Sequence, residues 1–184
     1  MNIMGLANNY KGMPDDGKVP IIFWKGGSDT YNKHSLIIIP NSFGLVWPEV
    51  ELAIKIDKTD GHNMYGVAMD ITASSPDDRD VHLPTSKSLK TFCPVGDLWM
   101  KTYDPDAELT LTVNGRMIQR DYIRNMRYSP EKSLRYVEQY VSLFTNDLII
   151  TGTPPHPYYN LNDGDIVEAS IEGIGSIKRK VMRT

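Results

Sequence analysis

A chain of 184 residues that is 40% hydrophobic can bury a real core, and its length suits one domain, residues 1–184. A net charge of −3 without a basic block argues against nucleic acid or an anionic membrane as partner, and no apolar stretch reaches spanning length. Met1-Asn2-Ile3-Met4 lacks the order of a signal peptide, and the single cysteine, Cys93, cannot form an internal disulfide, so a reducing, cytoplasmic setting is expected.

Asn2 to Ala7 reads as a short strand, followed by a polar, turn-rich loop from Asn8 to Gly17. Pro20 to Trp24 is a compact apolar run that delivers Lys25 and then Gly26-Gly27-Ser28, where paired glycines allow either a close ligand approach or an ordinary turn. Ser35 to Ile39 is a buried-strand candidate closed by Pro40. Val46 to Ile56 follows as a strand, and Lys58-Thr59-Asp60-Gly61 is a turn signal. Met64 to Thr72 is a second apolar strand holding one acid, Asp70, which is either an end-of-strand surface residue or a ligand.

Ser74 to Ser86 is a polar loop, and Asn114-Gly115 between two β runs predicts a hairpin. Ser129-Pro130-Glu131 opens a helix, with an N-cap residue, proline in the first position and an acid in the first turn. Leu134, Val137, Val141 and Phe144 place one apolar stripe at helical spacing, expected in the core. A strand over Asp147–Thr151, the turn-rich Gly152 to Pro157 and two further β runs around Gly164 and Gly173-Ile174-Gly175 close the chain.

The chemistry centres on Glu49-Val50-Glu51. Strand side chains repeat every two residues, so the two glutamates share a face. About 7 Å apart, they repel by roughly 2 kcal/mol at an effective dielectric of about 20. That is tolerable on a solvated edge strand and awkward in a pocket, where a hard divalent cation turns repulsion into attraction.

The order of motifs resembles the fumarylacetoacetate hydrolase family across nearly the whole chain. The resemblance rests on Glu49-Val50-Glu51-Leu52-Ala53, Tyr65 to Asp70, Lys87 to Pro94, Thr112-Val113-Asn114-Gly115, Leu148 to Pro154, Leu161 to Glu168 and Ile171 to Gly175. It implies an α+β fold, a rolled mixed β-sheet with few short helices, usually in a homodimer. It also implies that Glu49, Glu51 and Asp70 hold magnesium, with manganese or calcium as substitutes. Lys87 would face the substrate beside the metal, Thr153 would bind the substrate carboxylate, and Lys25 falls on a lysine common after the early strand. Phe92 and Cys93 match packing positions.

Three departures from that family stand out. Members often carry Asn-Tyr-x-x-His-x-x-Glu near the start, where histidine and acid activate water. Here Met13 stands at the histidine and Asp16 at the acid. Methionine cannot accept a proton, which removes the usual base. His156, beside the Thr153 turn, is expected to be an exposed loop histidine. After Asp70 the family's Arg-Asp pair is missing, leaving Arg79 as a displaced substitute, and the span from Glu51 to Asp70 lacks an inserted helix.

The function expected from the resemblance is action on a small anionic 2-oxo acid or 1,3-dicarbonyl (acylpyruvate, oxaloacetate or a 2-hydroxymuconate-like compound) through a metal-stabilised enolate. Keto–enol isomerisation or decarboxylation fits the missing histidine. Carbon–carbon bond hydrolysis of the fumarylacetoacetate or acylpyruvate type, or 2-oxo acid binding without turnover, are the alternatives.

Overall fold

The structure, a computed structural model, describes residues 1–13, 17–26, 31–32, 35–74, 84–156 and 158–184, with the backbone alone at 31–32 and 84–85. Twelve strands are described: β1 Ile3–Ala7, β2 Ile21–Lys25, β3 Tyr31–Asn32, β4 Leu36–Ile39, β5 Val46–Lys55, β6 Met64–Ala73, β7 Cys93–Pro94, β8 Glu108–Val113, β9 Arg116–Tyr122, β10 Leu148–Ile150, β11 Ile166–Ile171 and β12 Gly175–Arg183. Two five-stranded sheets run in the orders β2-β1-β10-β5-β6 and β4-β12-β11-β8-β9, with a separate β3-β7 ladder. Both large sheets are mixed, since β1–β10 and β12–β4 are parallel and the other pairs antiparallel. With few helices beside them, this is the α+β class that the family resemblance implies.

The two sheets share the main core. Val50, Leu52, Val67, Met69 and Ile71 from the first meet Leu109, Leu111, Val113, Val167 and Ala169 from the second. Beyond the second sheet, Met4, Leu6, Ile54 and Ile149 are covered instead by Val137 and Leu143. The opposite face of the first sheet carries a smaller cluster of Ile3, Phe23, Ala53, Ala68, Cys93 and Leu148. Among the described residues, no helix is long and apolar enough to cross a membrane.

Local chemistry explains the elements that position the site. β5 and β6 form an antiparallel hairpin with no inserted helix, and their register sets Glu49 opposite Asp70. Pro48 is tolerated inside β5 because the Val46 and Val50 amides point away from β6, to the side chains of Asn160 and Gln119 at 2.9 Å each. Proline at the intervening even position therefore removes no ladder bond. The Asn114-Gly115 hairpin forms as predicted, with φ of 51° and 78° at the two turn residues.

The helix Pro130–Glu138 also starts as predicted, with the Ser129 hydroxyl accepting from the Lys132 amide at 3.3 Å. Its apolar stripe needs correction. The helix stops at Glu138, so helical spacing no longer applies beyond it, and Phe144 is 64% exposed while Leu143 enters the core. Part of the loop read from Ser74 to Ser86 is corrected too, because Pro84–Lys87 forms a helical turn ending on Lys87.

Candidate metal and substrate site

Odd positions of β5 and even positions of β6 project from the same face of their sheet, beside Phe23 and Cys93. There Glu49, Glu51 and Asp70 each place one carboxylate oxygen within 4.8 Å of the others. Glu51 and Asp70 are both 1% exposed, so the solvated-edge alternative is excluded for this pair of strands. Asp70 is an enclosed mid-strand acid and not an end-of-strand surface residue.

Two lysines answer these charges. Lys25, its side chain fully enclosed, gives its ammonium to Asp70 Oδ1 and to the Ile71 carbonyl at 3.1 Å. Lys87 donates to Asp70 Oδ2 at 2.7 Å, Thr72 Oγ1 at 2.6 Å and Glu49 Oε2 at 3.2 Å. The His156 ring, 3% exposed, brings Nε2 to 3.3 Å from Glu49 Oε1. With all three acids ionised, three carboxylates against two ammonium groups would leave one net negative charge inside the protein.

The acids respond in opposite directions. Burial pushes Glu49 upward, yet Lys87 and the hydrogen-bonded His156 outweigh it and hold its carboxyl down at about 2. Glu51 is pushed up, first by burial and then by the nearby charges of Asp70 and Glu49, against which Lys87 and the Gly152 amide are insufficient. Burial pulls Lys87 down, but Asp70 and Glu49 more than offset it, so its pKa is raised and it stays an ammonium. Cys93 is enclosed and its thiol is pushed up to about 12, chiefly by burial, which makes it an inert packing residue.

This donor set fits a hard divalent cation. Oxygens shared by one magnesium ion at its usual bond length lie at most about 4.2 Å apart, so the three carboxylates need only small side-chain rotations to share one. Glu51 supplies the electrostatic reason, being a buried acid among like charges that a cation would relieve.

The turn after β10 closes the site from above. Gly152 donates its amide to Glu51 Oε2 at 2.5 Å, and the Thr153 hydroxyl donates to the Val50 carbonyl at 2.9 Å. Gln119 reaches across from β9, accepting from the Val50 amide at 2.9 Å and donating to Thr153 Oγ1 at 2.8 Å and the Pro154 carbonyl at 3.1 Å. Asn9 anchors the same turn through the Thr151 carbonyl at 2.7 Å. Gly152 has φ of 93°, and a Cβ there would stand 2.6 Å from the Leu6 carbonyl oxygen and 2.8 Å from Asn9 Cβ. Gly152→Ala is therefore expected to cost about 1–3 kcal/mol in denaturant unfolding and to weaken metal binding, because the amide on Glu51 shifts. Unchanged stability would show that the turn adjusts freely.

The chain matches the family model for the C-terminal domain of fumarylacetoacetate hydrolase over residues 2–182. It belongs to the fumarylacetoacetate hydrolase family. An uncharacterised protein of Methanocaldococcus jannaschii is 35% identical over 173 residues, 88% of this chain and 73% of the relative. The mitochondrial oxaloacetate tautomerase Fahd2a of Rattus norvegicus is 32% identical over 187 residues, 90% of this chain but only 59% of that protein. The solved structure of 5-carboxymethyl-2-hydroxymuconate delta-isomerase from Mycobacterium smegmatis superposes with a TM-score of 0.90 at 26% identity, covering all of this chain and 79% of that one. The relatives with named activities are thus enzymes, and this chain is shorter than they are.

Within that family frame, the structure brings Glu49, Glu51, Asp70, Lys25 and Lys87 into one cluster. Lys25, expected at the substrate, acts through Asp70 in this arrangement because its ammonium is enclosed. The one proton of the Thr153 hydroxyl is given to Val50, so reaching a substrate carboxylate would require it to release that bond. Asp16 and Arg79 lie outside the described residues, as do Gly27, Ser28, His34 and His82. Met13, in the histidine's place, is partly buried and packs against the main core.

His156 is corrected from an exposed loop residue to an enclosed neighbour of Glu49, because the 152–156 turn folds back over β5. Sequence reasoning missed Asn9, Thr72 and Gln119. Thr72 shares a face with Asp70 two positions away, a signal legible by the same period-two rule. Asn9 and Gln119 gave no local signal.

Proposed function

We propose that this chain is a divalent-metal-dependent enzyme of small 2-oxo acids, with magnesium as the metal and keto–enol isomerisation or decarboxylation as the reaction. The observation that carries this is the enclosed Glu49–Glu51–Asp70 cluster under two lysines, one of which, Lys87, retains an opening to solvent. A divalent cation held there supplies Lewis acidity, favouring negative charge on the substrate's α-keto oxygen. It also turns the cluster's net charge positive, which attracts an anionic acid.

The chain's own residues do the rest. Lys87, kept protonated by Asp70 and Glu49, serves as a donor and a fixed positive charge, and not as a base. Lys25 locks Asp70 in place from behind. Isomerisation needs a group that accepts a proton beside the keto carbon and returns it to oxygen. His156, next to Glu49, is the imidazole among the described residues that stands at the site. Met13 packs into the core where family hydrolases place their water-activating histidine, and this favours isomerisation or decarboxylation over water attack. The names of the rat tautomerase and the mycobacterial isomerase agree in kind.

The test is to follow oxaloacetate and an acylpyruvate with and without magnesium, separating loss of enol absorbance from carbon dioxide release and from carbon–carbon cleavage. Magnesium-dependent enol–keto conversion or decarboxylation is expected. Clean metal-dependent acylpyruvate cleavage would reassign the chain as a hydrolase, and calorimetric binding with no turnover would make it a 2-oxo acid binding protein.

A further inference from the structure

Lys87 ends the helical turn Pro84–Lys87 on a flexible four-carbon stem that has no fixed direction of its own. Its acceptors aim it. An ammonium has three protons, and among the described residues Asp70 Oδ2, Thr72 Oγ1 and Glu49 Oε2 take them at 2.7, 2.6 and 3.2 Å. The Phe23 ring, with its centroid 4.8 Å from Nζ, closes another side as an apolar wall.

The three acceptors differ in kind. Glu49 and Asp70 belong to the triad that fits a cation, and a carboxylate shared with a divalent ion has less negative charge left for an ammonium. Asp70 also carries Lys25 on its other oxygen. Thr72 is neutral and stands outside that competition. Its own proton goes to Glu49 Oε2 at 3.1 Å, which turns its lone pairs toward Lys87. It follows Asp70 by two residues on β6, so one strand presents both groups to the ammonium from the same face. Thr72 is buried and β-branched, with a stiff χ1, so the strand backbone fixes where its hydroxyl lies.

Resting on the reading that Lys87 faces a 2-oxo acid beside a metal, we propose that Thr72 is the positioning residue for Lys87. Its hydroxyl is the neutral anchor that holds the ammonium beside the triad when the carboxylates serve a cation. The contact to Glu49, the longest of the three, is the one that gives way, and the N–H released there is the one Lys87 offers to the substrate. Without the anchor the stem swings, and a donor misplaced by about an ångström loses much of its effect on rate.

The experiment compares Thr72→Val, which keeps the branched shape and removes the hydroxyl, with Thr72→Ser, which keeps the hydroxyl. In magnesium, kcat for oxaloacetate is expected to fall about tenfold or more in the valine variant and less than about threefold in the serine variant. Magnesium affinity by calorimetry should change less than about threefold in both. Thr72→Val should weaken binding of oxalate, an unreactive mimic of a 2-oxo acid enolate, in the parent and leave it unchanged in a Lys87→Met background. An equal loss in both backgrounds, no rescue by serine, or a loss that follows magnesium affinity would overturn the role, since each describes a residue that only packs or shapes the metal site. A crystal structure of the magnesium-loaded wild type tests the anchor even where Thr72→Val fails to fold. The contact between Lys87 Nζ and Thr72 Oγ1 should persist there while Nζ leaves Glu49, and an ammonium that leaves Thr72 overturns the anchor. These adverse results leave the triad reading intact. A wild type inert toward 2-oxo acids in magnesium would remove that reading, and the positioning role with it.

Discussion

Asp70→Asn is expected to abolish metal-dependent turnover and to lower the stability of the metal-free protein by about 3–5 kcal/mol. Asp70 is the acid that both lysines share, with Lys25 on one oxygen and Lys87 on the other. Lys87 has Thr72 and Glu49 to fall back on. Among the described residues Lys25 has only the Ile71 carbonyl besides Asp70, and its side chain is fully enclosed. An asparagine leaves that ammonium buried without a counter-charge, which costs far more than the loss of a surface ion pair. Urea unfolding in the presence of a chelator measures the effect. A drop below about 1 kcal/mol would mean that Lys25 finds another route to solvent or to charge, and that its contact with Asp70 contributes little to the fold.

Glu51→Gln should separate function from stability in the opposite sense. Metal affinity and turnover are expected to fall by more than about a hundredfold, because a ligand is lost and not merely a residue that orients one. The metal-free variant should nevertheless be more stable than the parent at neutral pH, since the substitution removes one of three crowded negative charges. Glutamine still offers Gly152 an acceptor in place of the carboxylate oxygen.

The pH dependence follows from the direction of the Glu51 shift. An unfolded glutamate titrates near 4.5, whereas folded Glu51 keeps its proton to higher pH. Above about 4.5 the folded state therefore binds more protons than the unfolded one, and stability falls as pH rises through the folded value. Glu49 acts in a separate window. Held at about 2, its contribution is fully present above 4.5 and is lost as pH drops toward 2. Glu51→Gln should erase the first slope and leave the second, and magnesium should erase the first slope in the parent. Unfolding curves taken from a pH of about 3 to about 8 would show both slopes. A parent whose metal-free stability is flat above 4.5 would contradict the proposed charge crowding.

Much of the site is legible locally because strand chemistry has period two. Glu49 and Glu51 had to share a face once their run was a strand, whatever lay around it. Lys25 could be placed at the end of an apolar run, and the Asn114-Gly115 hairpin at its turn, on the same local grounds. Asp70 was different: its surface and ligand readings stayed open until the β5–β6 register set it opposite Glu49. Phe144 shows the reverse failure. Helical spacing extended past the helix end marks the wrong residue, since Leu143 and not Phe144 turns inward after Gln139.

From the residue order alone comes the acidic pair on one strand face; the mixed β architecture and the loss of a proton acceptor at Met13 come from the resemblance to the family. The first depends on side-chain type and on spacing along a single element, which the chain carries with it everywhere. Only the folded structure decided that Lys25 serves Asp70, that Gln119 and Asn9 hold the Thr153 turn, and that His156 flanks Glu49. Those relations join segments separated by 34 to 142 positions. Burial and hydrogen-bond partners across such gaps are set by sheet register and loop closure, which no local pattern of residues encodes.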